Sequence, residues 1–238
     1  MANERPRYAV YFVPAANSDL YQFGSAVLQY DCYSGEAVTA PSEFAGDRDD
    51  WRKVTQEPLR YGFHTTLKAP FYLSLSCTEA SLVSAFSSFV NLGRASARFK
   101  PVVQMLGKFA ALVPELPNTT LNALAADCTT IFDAFRAPML PQERARRLAG
   151  QLNSSQIDNL DRWGYPYLFS DFQFHMTLTG EIAAANRDTA LATLKTVFRR
   201  MCRDRDVIVD RLALMKQENP NANFQVLSHA PLQASPSP

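Results

Sequence analysis

The sequence predicts an α+β fold built from two similar lobes. The chain of 238 residues is long for one compact module and short for two independent domains. A five-residue pattern, F-H-x-T-L, occurs twice, at residues 63–67 and 174–178. After each copy, the residue pattern predicts the same order of strand, helix and hairpin. We therefore expect two pseudo-symmetric antiparallel sheets that face a central groove, with helices on the outside.

The first lobe is predicted to span residues 7–135. Its strands are runs of β-branched and aromatic residues, and its helices begin at residues whose side chains cap helix N-termini. The segment 40–58 is rich in Pro, Asp and Arg, and we predict a loop with at most one helical turn there. The predicted elements are a strand at 7–13, a helix capped by Ser18, the first motif strand, a helix capped by Thr78, a hairpin around Gly107 and Lys108, and a helix capped by Asn118.

The second lobe is predicted to span residues 136–230 of the same single domain, 1–238. Residues 136–169 should form one or two short helices and a loop, and the second motif strand follows. A helix capped by Asn186 and two further strands, at 207–216 and 223–229, complete the lobe. The tail, residues 231–238, ends in QASPSP and is predicted to be disordered.

The composition excludes several classes of protein. Apolar residues make up 47% and charged residues 20% of the chain, as in a soluble globular protein. A formal net charge of +1 provides no global field for holding long nucleic acid. The four cysteines are widely spaced, which argues against a zinc knuckle or a redox pair. No signal peptide or membrane span is recognisable, so we predict a cytoplasmic protein that does not bind a membrane. We also predict that it has no cofactor, no metal ion and no obligate protein partner.

The two copies of the pattern each present a polar row on one face of a strand. Because side chains alternate along a strand, Phe174, Met176 and Leu178 should point into the core while His175 and Thr177 point into the groove. By the same alternation the first copy offers its own polar row. The members of that row are Arg60, Gly62, His64, Thr66 and Lys68.

Two imidazoles facing one substrate can act as a general base and a general acid, because histidine titrates near neutral pH. This arrangement suits displacement at phosphorus, with the two threonine hydroxyls donating hydrogen bonds to phosphoryl oxygens. A single histidine in a strand is more often a structural residue, but a duplicated pattern argues against that interpretation. A metal site would need further ligands, and the remaining histidine, His229, lies near the tail.

The extended motifs carry a resemblance to a known superfamily. The stretches RYAVYFVP (7–14), RYGFHTTLKAPF (60–71) and DFQFHMTLTG (171–180) resemble the two-histidine (2H) phosphoesterases, which include the RNA ligase-like cyclic phosphodiesterases. They are similar to one branch of it, a bacterial family of unknown function that is often named for phosphonate metabolism. The resemblance implies that His64 and His175 are the catalytic pair and that Thr66 and Thr177 bind phosphate. It also implies a bilobal fold with a pseudo-two-fold axis.

Three further residues are candidate substrate contacts. Lys68 and Arg60 share the predicted face of His64, and extra cations there indicate a second anionic group on the ligand, although either could instead be a solvated cation at a strand end. Tyr165, with the neighbouring aromatic residues Trp163 and Tyr167, could form a stacking wall for a base, although such clusters more often serve packing.

The sequence therefore predicts a metal-independent phosphoesterase. Its substrate would be a cyclic phosphodiester of a small sugar phosphate or nucleotide, opened by water attack, with a link to phosphonate metabolism. The alternative is a binding module that holds a phosphorylated ligand or an RNA end without turning it over. The residues do not decide which histidine is the base or whether the reaction runs as hydrolysis or ligation.

Overall fold

The computed structural model of the protein describes residues 5–202 and 206–233, apart from the side chains of residues 45–49. Its described part contains nine strands and seven α-helices, joined by loops and short 3₁₀ turns. The helices are α1 (Asp19–Leu28), α2 (Arg48–Leu59), α3 (Glu79–Val90), α4 (Thr119–Phe132), α5 (Pro141–Leu148), α6 (Ser154–Trp163) and α7 (Arg187–Cys202). The strands are β1 (Arg7–Phe12), β2 (Thr65–Tyr72), β3 (Ala97–Phe99), β4 (Pro101–Leu106), β5 (Phe109–Pro114), β6 (Met176–Thr177), β7 (Val207–Val209), β8 (Arg211–Gln217) and β9 (Gln225–Pro231).

The predicted α+β class with antiparallel sheets is confirmed. A four-stranded sheet has the order β2-β1-β8-β9, a three-stranded sheet has the order β4-β5-β6, and β3 pairs with β7. All of these pairs are antiparallel. The main hydrophobic core includes residues of both larger sheets and of helices α1, α3, α4 and α7.

The sheets do not follow the predicted boundary near residue 135. The four-stranded sheet joins β1 and β2 from the first half of the chain to β8 and β9 from the second. The three-stranded sheet joins β4 and β5 to β6 in the same way. The physical reason is that β1 pairs with β2 on one side and with β8 on the other. Each larger sheet therefore contains strands from both halves of the sequence.

The predicted helix starts agree with the structure in the first half of the chain. The side chains of Ser18, Thr78 and Asn118 each accept a hydrogen bond from a backbone N–H of the first turn. The predicted loop at 40–58 is wrong, because most of it forms α2. Trp51 fixes this helix: its Nε1 donates to the Val27 carbonyl at 3.0 Å, and its ring is buried.

The predicted disordered tail begins too early. Pro231 is the last residue of β9. The backbone N–H of Leu232 donates to the Asp210 carbonyl at 2.7 Å, and that of Gln233 donates to the Val90 carbonyl at 3.0 Å. Residues 231–233 are therefore held by the fold, and residues 234–238 lie outside the described part of the chain.

A β-bulge in β2 turns Lys68 away from the face of His64. Thr66 lies opposite Tyr11 across the β1–β2 pair, but Lys68 lies opposite Val10, which leaves Leu67 as an extra residue. The simple alternation that places Lys68 on the groove face is therefore wrong. Its Nζ instead donates to Asp133 Oδ1 at 2.7 Å and to the Thr129 carbonyl at 3.2 Å.

The environment of Lys68 is that of a buried structural ion pair. Its side chain is only 3% exposed, and that of Asp133 is 21% exposed. Burial lowers the pKa of Lys68, while the hydrogen bond from its ammonium group to Asp133 opposes this shift. Arg136 also donates to Asp133, at 2.7 Å, so the carboxylate has a second cationic partner.

We expect the two members of this pair to respond differently to substitution. Asp133→Asn leaves the buried Lys68 charge uncompensated and should lower the free energy of unfolding by about 3 kcal/mol. Lys68→Met leaves Asp133 paired with Arg136 and should cost less than about 1 kcal/mol. Urea denaturation of the two variants checks this order. Equal losses would show that Lys68 is not held as a buried charge.

Candidate functional site

The first motif places His64 immediately before β2. The Nδ1 atom of His64 lies 2.8 Å from the Gly62 carbonyl oxygen, and because a carbonyl can only accept, Nδ1 carries the proton. Gly62 has φ +71°, and a Cβ there would lie 2.7 Å from Cys32 Cβ. Glycine is thus required at this turn, both for the backbone conformation and for the space.

The second motif repeats this local geometry. The second motif strand is shorter in the structure than its alternating pattern predicts, since β6 comprises only Met176 and Thr177. His175 again precedes the strand, and its Nδ1 lies 2.8 Å from the carbonyl oxygen of Gln173, two residues earlier. In both copies, therefore, a backbone carbonyl fixes the ring and leaves Nε2 as the nitrogen available for chemistry.

The predicted faces of the two motifs largely agree with the structure. Phe63, Thr65 and Leu67 in the first copy and Phe174, Met176 and Leu178 in the second are buried, while the two histidines and the threonines that follow them are half-buried. Thr179 is buried, and its hydroxyl accepts a hydrogen bond from the Ala110 N–H at 2.9 Å.

The two motifs are in direct contact. The Thr65 hydroxyl donates to the His175 carbonyl at 3.0 Å. Behind this bond, the rings of Phe12 and Phe174 pack with their centroids 6.3 Å apart. A polar bond and an aromatic contact thus hold the strand ends of the two sheets together at the motifs.

Two adjoining cavities surround the motifs, and each contains residues of both copies. A cavity of about 440 Å³ is lined by His64 of the first copy and Thr177 of the second. A cavity of about 530 Å³ is lined by Thr66 of the first copy and His175 of the second. Phe109, at the start of β5, lines both. Each histidine therefore shares a cavity with the threonine of the other copy.

The surroundings of His64 favour its neutral form. Its Nε2 lies 3.0 Å from Thr66 Oγ1, and the Tyr11 ring stacks on it with centroids 3.8 Å apart. Burial lowers the pKa of His64 to about 4; the Gly62 carbonyl raises it, and the charge of His175 lowers it further. Since Nδ1 is the donor nitrogen, Nε2 carries the lone pair and the Thr66 hydroxyl donates to it.

Of the other two predicted substrate contacts, Arg60 lies away from the cavities and Tyr165 lines one of them. Arg60 follows α2 and is exposed, and its guanidinium donates to the Pro220 carbonyl. It lies outside β2 and lines neither cavity. Tyr165 does line the larger cavity, together with Tyr167. Burial raises the pKa of the Tyr165 hydroxyl, and Arg147 lies over its ring with Cζ 5.7 Å from the centroid.

Three residues near the site lie outside the two F-H-x-T-L patterns. Tyr11 comes from β1, and Lys108 and Phe109 come from the hairpin between β4 and β5. The sequence signals the hairpin through Gly107, which has φ +61°. It does not signal that β5 pairs with β6, and this pairing is what brings the hairpin tip to the second motif.

Among the described residues there is no group of three or more His, Cys, Asp and Glu side chains placed to hold a metal ion. Within the same part of the chain, no helix combines the length and the apolar character needed to cross a membrane.

Comparison with known proteins identifies the family of the chain. Residues 66–225 match DUF1045, a family described as proteins of unknown function, and the chain belongs to that family. It is 34% identical over 221 residues to a protein of Janthinobacterium sp. (strain Marseille) named ribose 1,5-bisphosphate phosphokinase, covering 92% of this chain and 49% of that protein. A protein of the same name from Laribacter hongkongensis (strain HLHK9) is 34% identical over 195 residues, covering 81% of this chain and 44% of that protein. The chain thus spans about half the length of the curated relatives it matches.

Two solved structures are loosely similar. A crystal structure titled as a phosphoesterase has a TM-score of 0.40 and 13% identity, and covers 95% of this chain and 98% of its own. A conserved protein of unknown function from Agrobacterium tumefaciens strain C58 has a TM-score of 0.44 and 11% identity, covering 93% and 84% of the two chains.

The pKa of His64 predicts a pH dependence of stability. The folded-state pKa of about 4 lies below the value of about 6.5 for an unfolded chain. Between these values the unfolded state binds a proton that the folded state does not, so stability should fall as the pH is lowered through this window. The half-buried ring limits the effect to about 2 kcal/mol between pH 7 and pH 4.5.

The measurement is the unfolding free energy of the wild type and of His64→Asn at both pH values. The variant should lose less stability between pH 7 and pH 4.5 than the wild type. If the two proteins lose the same amount, His64 does not titrate below its usual range.

Proposed function

We propose that this protein is a metal-independent phosphoesterase of the two-histidine type that opens a cyclic phosphodiester. The observation that carries the proposal is the pairing across the two cavities, where each imidazole shares its space with the hydroxyl of the other motif. A cyclic phosphate at the junction would meet an imidazole and a hydroxyl from both sides. Acid–base catalysis needs a second titratable ring near the phosphate, whereas binding alone does not need one.

We assign the role of general base to His64 and that of general acid to His175. His64 presents a lone pair at Nε2 and is neutral at pH 7. It takes a proton from water as the water oxygen forms a bond to phosphorus. His175, protonated at Nε2, gives its proton to the departing ring oxygen as the P–O bond breaks. The products are a phosphomonoester and a free hydroxyl, with Thr66 and Thr177 donating hydrogen bonds to the non-bridging oxygens.

The names of the relatives provide a first substrate to test. Their name specifies ribose 1,5-bisphosphate as a kinase substrate. Hydrolysis of ribose 5-phosphate carrying a cyclic phosphate across O1 and O2 breaks the bond to O2 and produces ribose 1,5-bisphosphate. We therefore propose a cyclic ribose phosphate with a second phosphate as the favoured substrate. Nucleoside cyclic phosphates are the second class, because Tyr165 and Tyr167 line the cavity beside His175.

The test is a turnover screen over these cyclic phosphates with the wild type, His64→Asn and His175→Asn, in the presence of a chelator. General acid–base groups contribute about 10²- to 10⁴-fold each, so either substitution should remove most turnover. Because acid and base act as a unit, the double variant should be little worse than either single one. Thermal unfolding of each variant provides the control for folding.

Three outcomes of this screen would contradict the proposal. Near wild-type turnover in one single variant would contradict the acid–base pair. Loss of activity in chelator that a divalent ion restores would replace the proposal with metal catalysis. Binding of cyclic phosphates without turnover by the wild type would favour the alternative, a binding module for a phosphorylated ligand or an RNA end.

We propose that Lys108, rather than Lys68, binds the second phosphate. Among the described residues that line the two cavities, it is the one lysine, and none of them is an arginine. Its Nζ pairs with Glu181 Oε1 at 2.9 Å, and both side chains are 65% exposed. Exposed ion pairs contribute about 0 to 1 kcal/mol, so Lys108 can exchange this partner for a substrate anion at little cost.

We expect Lys108→Met to lower kcat/KM about threefold to tenfold on a cyclic ribose phosphate that carries a 5-phosphate. The same substrate without the 5-phosphate should be affected less. Lys100→Met is the matched control, because Lys100 is similarly exposed and paired with Glu115 but lines neither cavity. Equal losses on both substrates would exclude a specific contact with the second phosphate.

A further inference from the structure

The Tyr11 hydroxyl is a buried polar group whose presence the fold alone does not explain. Tyr11 is 0% exposed, and its hydroxyl has no hydrogen-bond partner within the described residues. A buried, unsatisfied hydroxyl costs about 1 to 3 kcal/mol. Phenylalanine would fill the same space without that cost, so the hydroxyl calls for a reason outside packing.

Four other tyrosines, one in β1 and three in or just after α1, show that the fold ordinarily satisfies such groups. Tyr8 donates to Glu79 at 2.7 Å and Tyr21 donates to Asp31 at 2.5 Å. Tyr30 and Tyr33 donate to backbone carbonyls at 3.1 and 3.0 Å. Tyr11 differs from these four tyrosines by its position beside the first motif.

The ring and the hydroxyl of Tyr11 lie next to different members of that motif. The ring stacks on His64, with an angle of 20° between the planes. Tyr11 lies directly opposite Thr66 across the β1–β2 pair, so both side chains extend from the same face of the sheet. Burial raises the pKa of Tyr11 well above its ordinary value, and the Thr66 side chain, as a hydrogen-bonding neighbour, opposes this shift. The two hydroxyls therefore lie close together, although the Tyr11 hydroxyl makes no hydrogen bond of regular geometry with any described residue. Because its pKa is raised, the Tyr11 hydroxyl keeps its proton and remains available as a donor.

Thr66 must change its hydrogen bond when a phosphate binds. It has one proton, which it donates to His64 Nε2 in the free protein. Once that nitrogen accepts a hydrogen bond from the attacking water, the Thr66 hydroxyl no longer donates to it. The hydroxyl can then rotate and donate to a phosphoryl oxygen. The Thr66 oxygen then needs a donor to hold it in the new orientation, and the unpartnered hydroxyl of Tyr11 can provide one.

We propose that Tyr11 is a positioning residue. Its ring stacks on the His64 imidazole and holds the orientation of that ring. Its hydroxyl donates a hydrogen bond to Thr66 Oγ1 when the Thr66 hydroxyl turns from His64 to the phosphoryl group. This inference rests on the proposed function. No covalent bond changes in this step. Thr66 exchanges one acceptor for another, and Tyr11 gains the partner that it lacks in the free protein.

The experiment compares Tyr11→Phe with the wild type on the cyclic phosphate that the screen identifies. The new hydrogen bond forms on binding and persists through the reaction, so its loss should raise KM about threefold to tenfold and leave kcat unchanged. The melting temperature should stay the same or rise, because no buried hydroxyl remains unpaired. Tyr30→Phe is the matched control: it removes a satisfied hydroxyl and should lower the melting temperature without changing KM.

Two further measurements separate the hydroxyl from the ring and from the proposed reaction. If Tyr11 acts through Thr66, Tyr11→Phe should have no additional effect on KM in a Thr66→Val background. Titration calorimetry with inorganic phosphate should show a threefold to tenfold weaker Kd for Tyr11→Phe, even if the wild type opens no cyclic phosphate.

The inference is overturned if Tyr11→Phe binds phosphate and substrate like the wild type, since the ring alone would then suffice. It is also overturned if the variant loses stability as Tyr30→Phe does, or if the wild type does not bind phosphate. Failure of turnover alone, with the phosphate result as expected, would reject the phosphoesterase and retain the role of Tyr11.

Discussion

The double pairing of β1 is the constraint on which the rest of the structure depends. This strand lies between β2 and β8, and its residues from Tyr8 to Phe12 are almost completely buried. One face contributes to the main core, and the other packs in a smaller cluster with Phe224 and Met215. Because β2 carries the first motif, β1 fixes the position of that motif relative to the C-terminal strands. The first imidazole is positioned by a strand that contains no residue of either motif.

A second constraint lies within the motifs themselves. Each imidazole is held by a carbonyl two residues earlier, so both rings expose the same nitrogen. Their surroundings nevertheless differ: Tyr11 stacks on His64 at a centroid distance of 3.8 Å, whereas the Phe109 ring lies 5.9 Å from that of His175. Equivalent backbone geometry is thus combined with unequal aromatic contacts around the two rings. The proposed function uses this asymmetry when it gives the two rings different roles.

Local patterns in the sequence predicted much of the fold and part of the site. The capping residues Ser18, Thr78 and Asn118 fix helix starts through contacts within one turn, which the sequence records directly. The buried and half-buried rows of the motifs likewise follow from alternation. The orientation of the Lys68 side chain was predicted wrongly because it depends on a bulge at Leu67. That bulge depends on how β1 and β2 pair, and no local sequence pattern records that pairing. The same holds for Phe109, which reaches the second motif through the contact between β5 and β6.

Both larger sheets contain strands from the two halves of the chain, and this limits how the two cavities can change shape. A hinge near residue 135 would have to break the β1–β8 or the β5–β6 pairing, because both larger sheets contain strands from each half. The relative position of the two motifs is therefore fixed by strand pairing. Under the proposed function, the substrate would enter and leave past small exposed parts at the rim, such as the hairpin tip at Gly107 and Lys108 and the Tyr167 side chain. Cavities of this kind would select ligands by their shape before binding, and not by closing around a bound ligand.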